Sequence, residues 1–206
     1  MPKQKELPLS PQQVVLLGFA AVILVGGLLL SLPIASNGEP LSLLDGLFEA
    51  TSAVCVTGLT VVDPATQFNL FGRILLALLI QLGGLGFATF STFSAVLIGR
   101  RLGLRERIIL QQSLNQDALQ GLVRLARLIF LVTAIVEGAG AVVLTLGFWP
   151  HYGFWTALGY GVFHSISAFN NAGFDLFGGF RSLGGQPVWV DAVLCALLVL
   201  GGLGFT

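Results

Sequence analysis

Two five-residue stretches hold the chemistry open to this chain: Cys55-Val56-Thr57-Gly58-Leu59 and Asn170-Asn171-Ala172-Gly173-Phe174. They lie 115 positions apart, and the segments leading into them match without a gap. Leu43, Gly46, Phe48, Ser52, Ala53 and Gly58 fall on Leu158, Gly161, Phe163, Ser167, Ala168 and Gly173. A cation that sheds its water needs oxygens in exchange, and main-chain carbonyls supply them without a fixed charge. Irregular backbone at membrane depth is tolerated only where it lines a cavity. Glycine reaches positive φ without a Cβ penalty and lets successive carbonyls turn the same way. The carbonyls of Val56, Thr57, Gly58, Asn171, Ala172 and Gly173 are therefore the expected ion ligands, with side chains pointing mainly away from the ion path.

Other chemistries find less support. Two cysteines, two histidines (His151 and His164) and scattered acids offer no nucleophile–base pair or metal-ligand spacing, so the chain does not read as an enzyme. Cys55 and Cys195 match no metal motif or disulfide framework and read as small core residues. The 206 residues have a mean hydropathy of +0.89, with 55% hydrophobic and 10% charged. A soluble domain carries about a quarter charged residues, so this is an all-α integral membrane protein. Formal net charge is zero, which suggests no nucleic-acid partner.

The elements that position the two stretches follow in order. Residues 1–13 form a polar tail, read as a cytoplasmic N-terminus before an uncleaved first span, Val14 to Leu32. Pro33 closes that span, and Ile34 to Pro40 reads as a loop. Ser42 and Asp45 open a capping-box-like start to a helix over Leu43–Val54. At 1.5 Å per residue it rises only ~18 Å, too short to cross, so it dips in and returns. A second span covers Ile74 to Ile98, and residues 100–127 form a basic, amide-rich cytoplasmic linker. Leu128 to Phe148 is a third span, followed by the aromatic belt residues Trp149, Tyr152, Trp155 and Tyr160. Phe154–Phe169 is the second short helix, and a fourth span runs from Val188 to the end of the chain, Thr206. The motif LGGLGF recurs at 82–87 and 200–205, an offset of 118. Residues 14–99 and 128–206 thus form two parallel units of span, short helix, filter and span.

Charge orients them. Lys3, Lys5, Arg100, Arg101, Arg105, Arg107, Arg124 and Arg127 fall on one side, and only Arg73 and Arg181 on the other. The positive-inside rule makes the first side cytoplasmic. Glu39, Asp45, Glu49, Asp63, Asp175 and Asp191 then form an outer acidic vestibule. Asp45 and Glu49 face outer water or anchor the helix, His164 is structural, and the arginines of 100–107 anchor the cytoplasmic face. Gly83, Gly84, Gly86, Gly201, Gly202 and Gly204 are close-packing positions. Glu137, a charge costing about 2.5–3.5 kcal/mol mid-span, is either a functional intramembrane acid or a carboxyl bracing neighbouring helices.

TSAVCVTGLTVVD and FHSISAFNNAGFDLF resemble the first and second filter regions of the Trk/Ktr/HKT superfamily of potassium transporters, and the chain is most similar to its Ktr-type membrane subunits. The resemblance covers nearly the whole chain. It implies four pore-loop units around one pore, Gly58 and Gly173 as filter glycines, and potassium as the carried ion. Sodium as a coupling or activating ion stays open. It also implies a cytoplasmic nucleotide-binding regulatory ring and a multi-pass location in the plasma membrane. Two units of four are present, so the chain is expected to be a partial gene product. Two copies can complete a ring as a symmetric dimer, within a homodimer or larger assembly. The alternative is a non-conducting half-pore that scaffolds other subunits.

Overall fold

The computed structural model describes residues 10–86, 89, 103, 108–111, 122–179 and 186–203. Among them the chain is helical, without a strand; one isolated antiparallel bridge pairs Ser36 with Phe68. The α-helices whose bounds lie within the described residues are α1 (Pro11–Leu30), α2 (Leu43–Val54), α3 (Pro64–Gln67), α4 (Leu70–Leu85), α5 (Leu122–Tyr152), α6 (Phe154–Phe169) and α7 (Val188–Gly202). Lys3, Lys5, Arg100, Arg101, Arg105, Arg107, Arg181 and Gly204, and most of the predicted 100–127 linker, lie outside the described residues.

Helix α1 starts three residues before the apolar run because its first turn is polar. Ser10 caps it: its Oγ accepts from the Gln13 amide at 3.3 Å, and Gln13 Oε1 accepts from the Ser10 amide at 2.8 Å. Pro11 occupies N1, where no hydrogen bond is lost. The helix ends at Leu30, where the Ser31 hydroxyl donates back to the Gly27 carbonyl at 2.8 Å and also to the Ser42 carbonyl at 3.3 Å. Ser42 in turn starts α2, accepting from the Asp45 amide at 3.1 Å. The expected capping box is half made: Asp45 Oδ2 accepts from the Ser42 hydroxyl rather than from its backbone N–H. Gly46 lets α2 lie on α1, since a Cβ there would strike Ser31 and the Gly27 carbonyl.

Asn69 joins the returning chain to the first loop. Its amide donates to the carbonyls of Ile34 at 2.7 Å and Ser36 at 3.2 Å, and its Oδ1 caps α4 through the Gly72 N–H. Helix α4 ends at Gly86, at φ 79°, so the predicted run to Ile98 is not continuous. The sequence reads Gly86 as a close-packing position; among the described residues a Cβ there would meet nothing within 4 Å, and its positive φ caps the end of the helix. Residues 87–98, apart from Thr89, lie outside the described part.

Helix α5 is longer than Leu128–Phe148 at both ends, taking residues 122–127 from the expected linker and running through Pro150 to Tyr152. Gly153, at φ 76°, then turns the chain into α6. Helices α1 and α5 are long and apolar enough to cross a membrane; α4 and α7 are shorter apolar helices. Helix α2 packs on α1 and α4, and α6 on α5 and α7. One core gathers Leu30, Ala50, Phe68, Leu76 and Ile80 with Ala172 and Phe174 from the second half. The other holds Leu144, Phe148, Ala157, Val190, Leu194 and Leu197. Large apolar side chains such as Leu16, Leu44, Leu131 and Val188 remain exposed, a surface suited to lipid. Trp149, Tyr152 and Trp155 are exposed, whereas Tyr160 turns inward onto Phe148, Phe177 and His164. Cys55 and Cys195 are exposed, not core residues: one caps the end of α2, and the other lines a cavity beside the second loop.

Candidate functional site

The two predicted stretches leave α2 and α6 with one backbone plan. Cys55 N donates to Thr51 O at 2.8 Å, and Asn170 N to Ile166 O at 3.1 Å. Thr57 N donates to Ser52 O at 2.9 Å, and Ala172 N to Ser167 O at 2.8 Å. Val56 and Asn171 stand at φ 49° and 59°, and Gly58 and Gly173 at 73° and 75°. Glycine is the expected bearer of positive φ; Val56 and Asn171 are not. Asparagine adopts this conformation readily, but a β-branched valine is an outlier there. Val56 packs against the first core, and no local propensity announces its backbone shape.

The loops meet at their glycines. A Cβ on Gly58 would come 2.6 Å from the Ala172 carbonyl oxygen and 3.3 Å from Gly173 Cα. Among the described residues, the carbonyl oxygens of Val56, Thr57, Gly58, Asn171, Ala172 and Gly173 accept no hydrogen bond. Leu59 is exposed beyond the first glycine, while Phe174 is buried beyond the second and accepts from the Ser167 hydroxyl at 2.7 Å. Backbone oxygens without partners are uncommon in a folded chain.

Glycines of α4 and α7 let the helices close on the loops. A Cβ on Gly83 would strike the Val54 carbonyl, and one on Gly201 the Phe169 carbonyl, the matching residues at the two helix ends. Gly84 lies against the Asn170 side chain. A Cβ on Gly202 would rest 3.8 Å from the Asn171 amide, an ordinary contact. Gly201→Ala is therefore expected to destabilise the protein by about 1–3 kcal/mol and Gly202→Ala to be near neutral, as read by thermal unfolding in detergent.

Glu137 sits in α5 beside the start of the second loop. Its Oε1 accepts from Asn170 Nδ2 at 2.9 Å, and the same amide donates to Gln81 Oε1 on α4 at 3.2 Å. The Asn170 amide thus links Glu137 on α5 with Gln81 on α4. The Glu137 backbone carbonyl accepts from the Ser165 hydroxyl at 2.7 Å. The sequence isolates Gln81 as the one strongly polar residue of its span but offers no partner for it.

The acidic residues divide. Glu39 is exposed, and Asp45, Asp175 and Asp191 are partly so, with the last two lining a cavity of about 360 Å³ that also touches Asn171 and Gly173. Glu49 is fully buried and does not face outer water, because its carboxylate turns back to the chain that follows the first loop. Asp63 is occupied as a cap, accepting from Ala65 N at 3.0 Å and from Gly179 N at 2.6 Å.

Among the described residues the site is thus a pair of backbone loops, with glycines in contact and carbonyls that accept no hydrogen bond. A family model described as TrkH, cation transport protein, matches residues 15–206. The chain belongs to this family, within the Trk/Ktr superfamily. It is 43% identical over 198 residues to the Ktr system potassium uptake protein B of Bacillus subtilis, covering 96% of this chain and 44% of that protein. It is 38% identical over 206 residues to the potassium/sodium uptake protein NtpJ of Enterococcus hirae, covering 100% of this chain and 46% of that one. The Ktr system potassium uptake protein B of Vibrio alginolyticus is 43% identical over 195 residues, covering 94% of this chain and 42% of that protein. The chain thus spans less than half the length of these relatives.

Proposed function

We propose that the chain supplies two of the loops lining a monovalent-cation pore, in the pore-forming subunit of a Trk/Ktr-type potassium uptake system. The observation that carries this is the pair of matched loops whose carbonyls, from Val56 to Gly58 and Asn171 to Gly173, accept no hydrogen bond among the described residues and stand beside touching glycines. Such oxygens can replace the water of a stripped cation. Residues 14–99 and 128–206 act as two parallel membrane–loop–membrane units, with residues 1–13 and 100–127 cytoplasmic and the loops facing outward. Cys55, Leu59, Asn170 and Phe174 flank the ligands, and Glu137 braces the second loop through Asn170. Potassium is the carried ion; the name of the Enterococcus hirae relative adds sodium as an ion to test. The resemblance implies a homodimer or larger assembly in the plasma membrane, working with a cytoplasmic nucleotide-binding ring.

The intact gene product, reconstituted in liposomes, should pass potassium down its gradient. Absence of cation flux at every protein-to-lipid ratio would overturn the reading in favour of a half-pore that only scaffolds other subunits.

A further inference from the structure

The short helices each send one buried polar side chain to the backbone beyond their loop, and both reach the same place. Glu49 and His164 are 115 positions apart, as are the loops, and are 0% and 3% exposed. Glu49 Oε1 accepts from Val61 N at 2.8 Å, with a longer contact from Val62 N at 3.4 Å. His164 Nε2 accepts from Leu176 N at 3.2 Å. Val61 and Leu176 are each the third residue after the loop glycine. The imidazole is oriented to accept there, because its Nδ1 faces the Tyr160 carbonyl at 2.7 Å; Nδ1 therefore carries the hydrogen and Nε2 is left as acceptor. Phe177 stacks on the ring at 4.5 Å between centroids.

Burying a carboxyl or an imidazole is unfavourable unless it makes hydrogen bonds, and an apolar residue would pack here without that penalty. Glu49 Oε2 is buried with no partner among the described residues, so local packing alone gives no reason for an acid. The two side chains share neither charge nor shape; they share an acceptor atom aimed at one backbone N–H. On the near side, the Thr57 and Ala172 amides already tie each loop to its helix. The second tie, beyond the glycine, fixes the far side.

We propose that Glu49 and His164 are equivalent positioning residues, latches that hold the outgoing strand of each loop and so set the spacing of the carbonyls that choose between cations. This rests on the pore reading above. The test compares potassium and sodium uptake by the intact gene product in a host lacking its own potassium uptake. Glu49→Leu and His164→Phe, which keep bulk and lose the acceptor, should lower the potassium-to-sodium ratio about tenfold, on the scale of one buried hydrogen bond. Glu49→Gln and His164→Glu, which restore an acceptor, should return it to within about twofold of wild type. Wild-type ratios in the Leu and Phe variants, with Gly58→Ala impaired, would overturn the latch and leave the pore reading standing. A wild-type ratio in Gly58→Ala would overturn the pore reading, and the latch with it. Should the Leu and Phe variants fail to reach the membrane, amide exchange in the unaltered protein decides. Val61 and Leu176 should exchange at least about tenfold more slowly than Leu59 and Asp175, and equal rates would overturn the proposal.

Discussion

Gly58→Ala is expected to lower potassium uptake about a hundredfold, and Gly173→Ser about tenfold, in potassium-limited growth and ion-uptake measurements. Both glycines stand at φ near 75°, where any L side chain is strained by about 1–2 kcal/mol. That strain alone accounts for roughly one factor of ten. Gly58 carries a second penalty, because its new Cβ would press to 2.6 Å on the Ala172 carbonyl oxygen, one of the proposed ligands. At Gly173 the nearest atom would be Gly58 Cα at 3.5 Å, an ordinary contact. The order of severity is therefore the sharper part of the expectation. Potassium uptake unaltered by either change would remove the loops from the ion path.

Glu137→Ala is expected to lower stability by about 2 kcal/mol, because Asn170 would lose an acceptor in a part-buried setting. Thermal unfolding in detergent measures it, and potassium-to-sodium selectivity should fall as Asn170 is released. Glu137→Gln keeps a hydrogen-bonding group of the same length and should fall by less than about 1 kcal/mol while still transporting. This pair separates the two roles that the sequence leaves open. A Gln variant that is stable but does not transport would make Glu137 a functional acid; one that transports normally makes it a brace.

The elements nearest the site are the most legible in the sequence. Leu43–Val54 and Phe154–Phe169 have the same bounds in sequence and structure, because each short helix carries its own period and is matched by a copy 115 positions away. What escapes a sequence reading depends on contacts between distant segments. The polar turn Ser10–Gln13 hides the start of α1 from any search for apolar runs. Gly86 sits in the same LGGLGF motif as the packing glycines, yet its φ makes it a terminator. The turning inward of Glu49 requires knowledge of where Val61 returns, and Asn170 reaches Gln81 and Glu137 on two other helices that no periodicity brings to it. The identity of the loops is written in local sequence; the means of holding them in shape is not.

Val56 and Asn171 occupy the same position in the two loops, and only one of them suits it. Asparagine tolerates a left-handed backbone, whereas a β-branched valine is strained in it. The two halves are thus mechanically unequal despite their common outline. A valine held at φ 49° stores strain that asparagine at φ 59° does not, so the first loop is the costlier of the two to keep in shape.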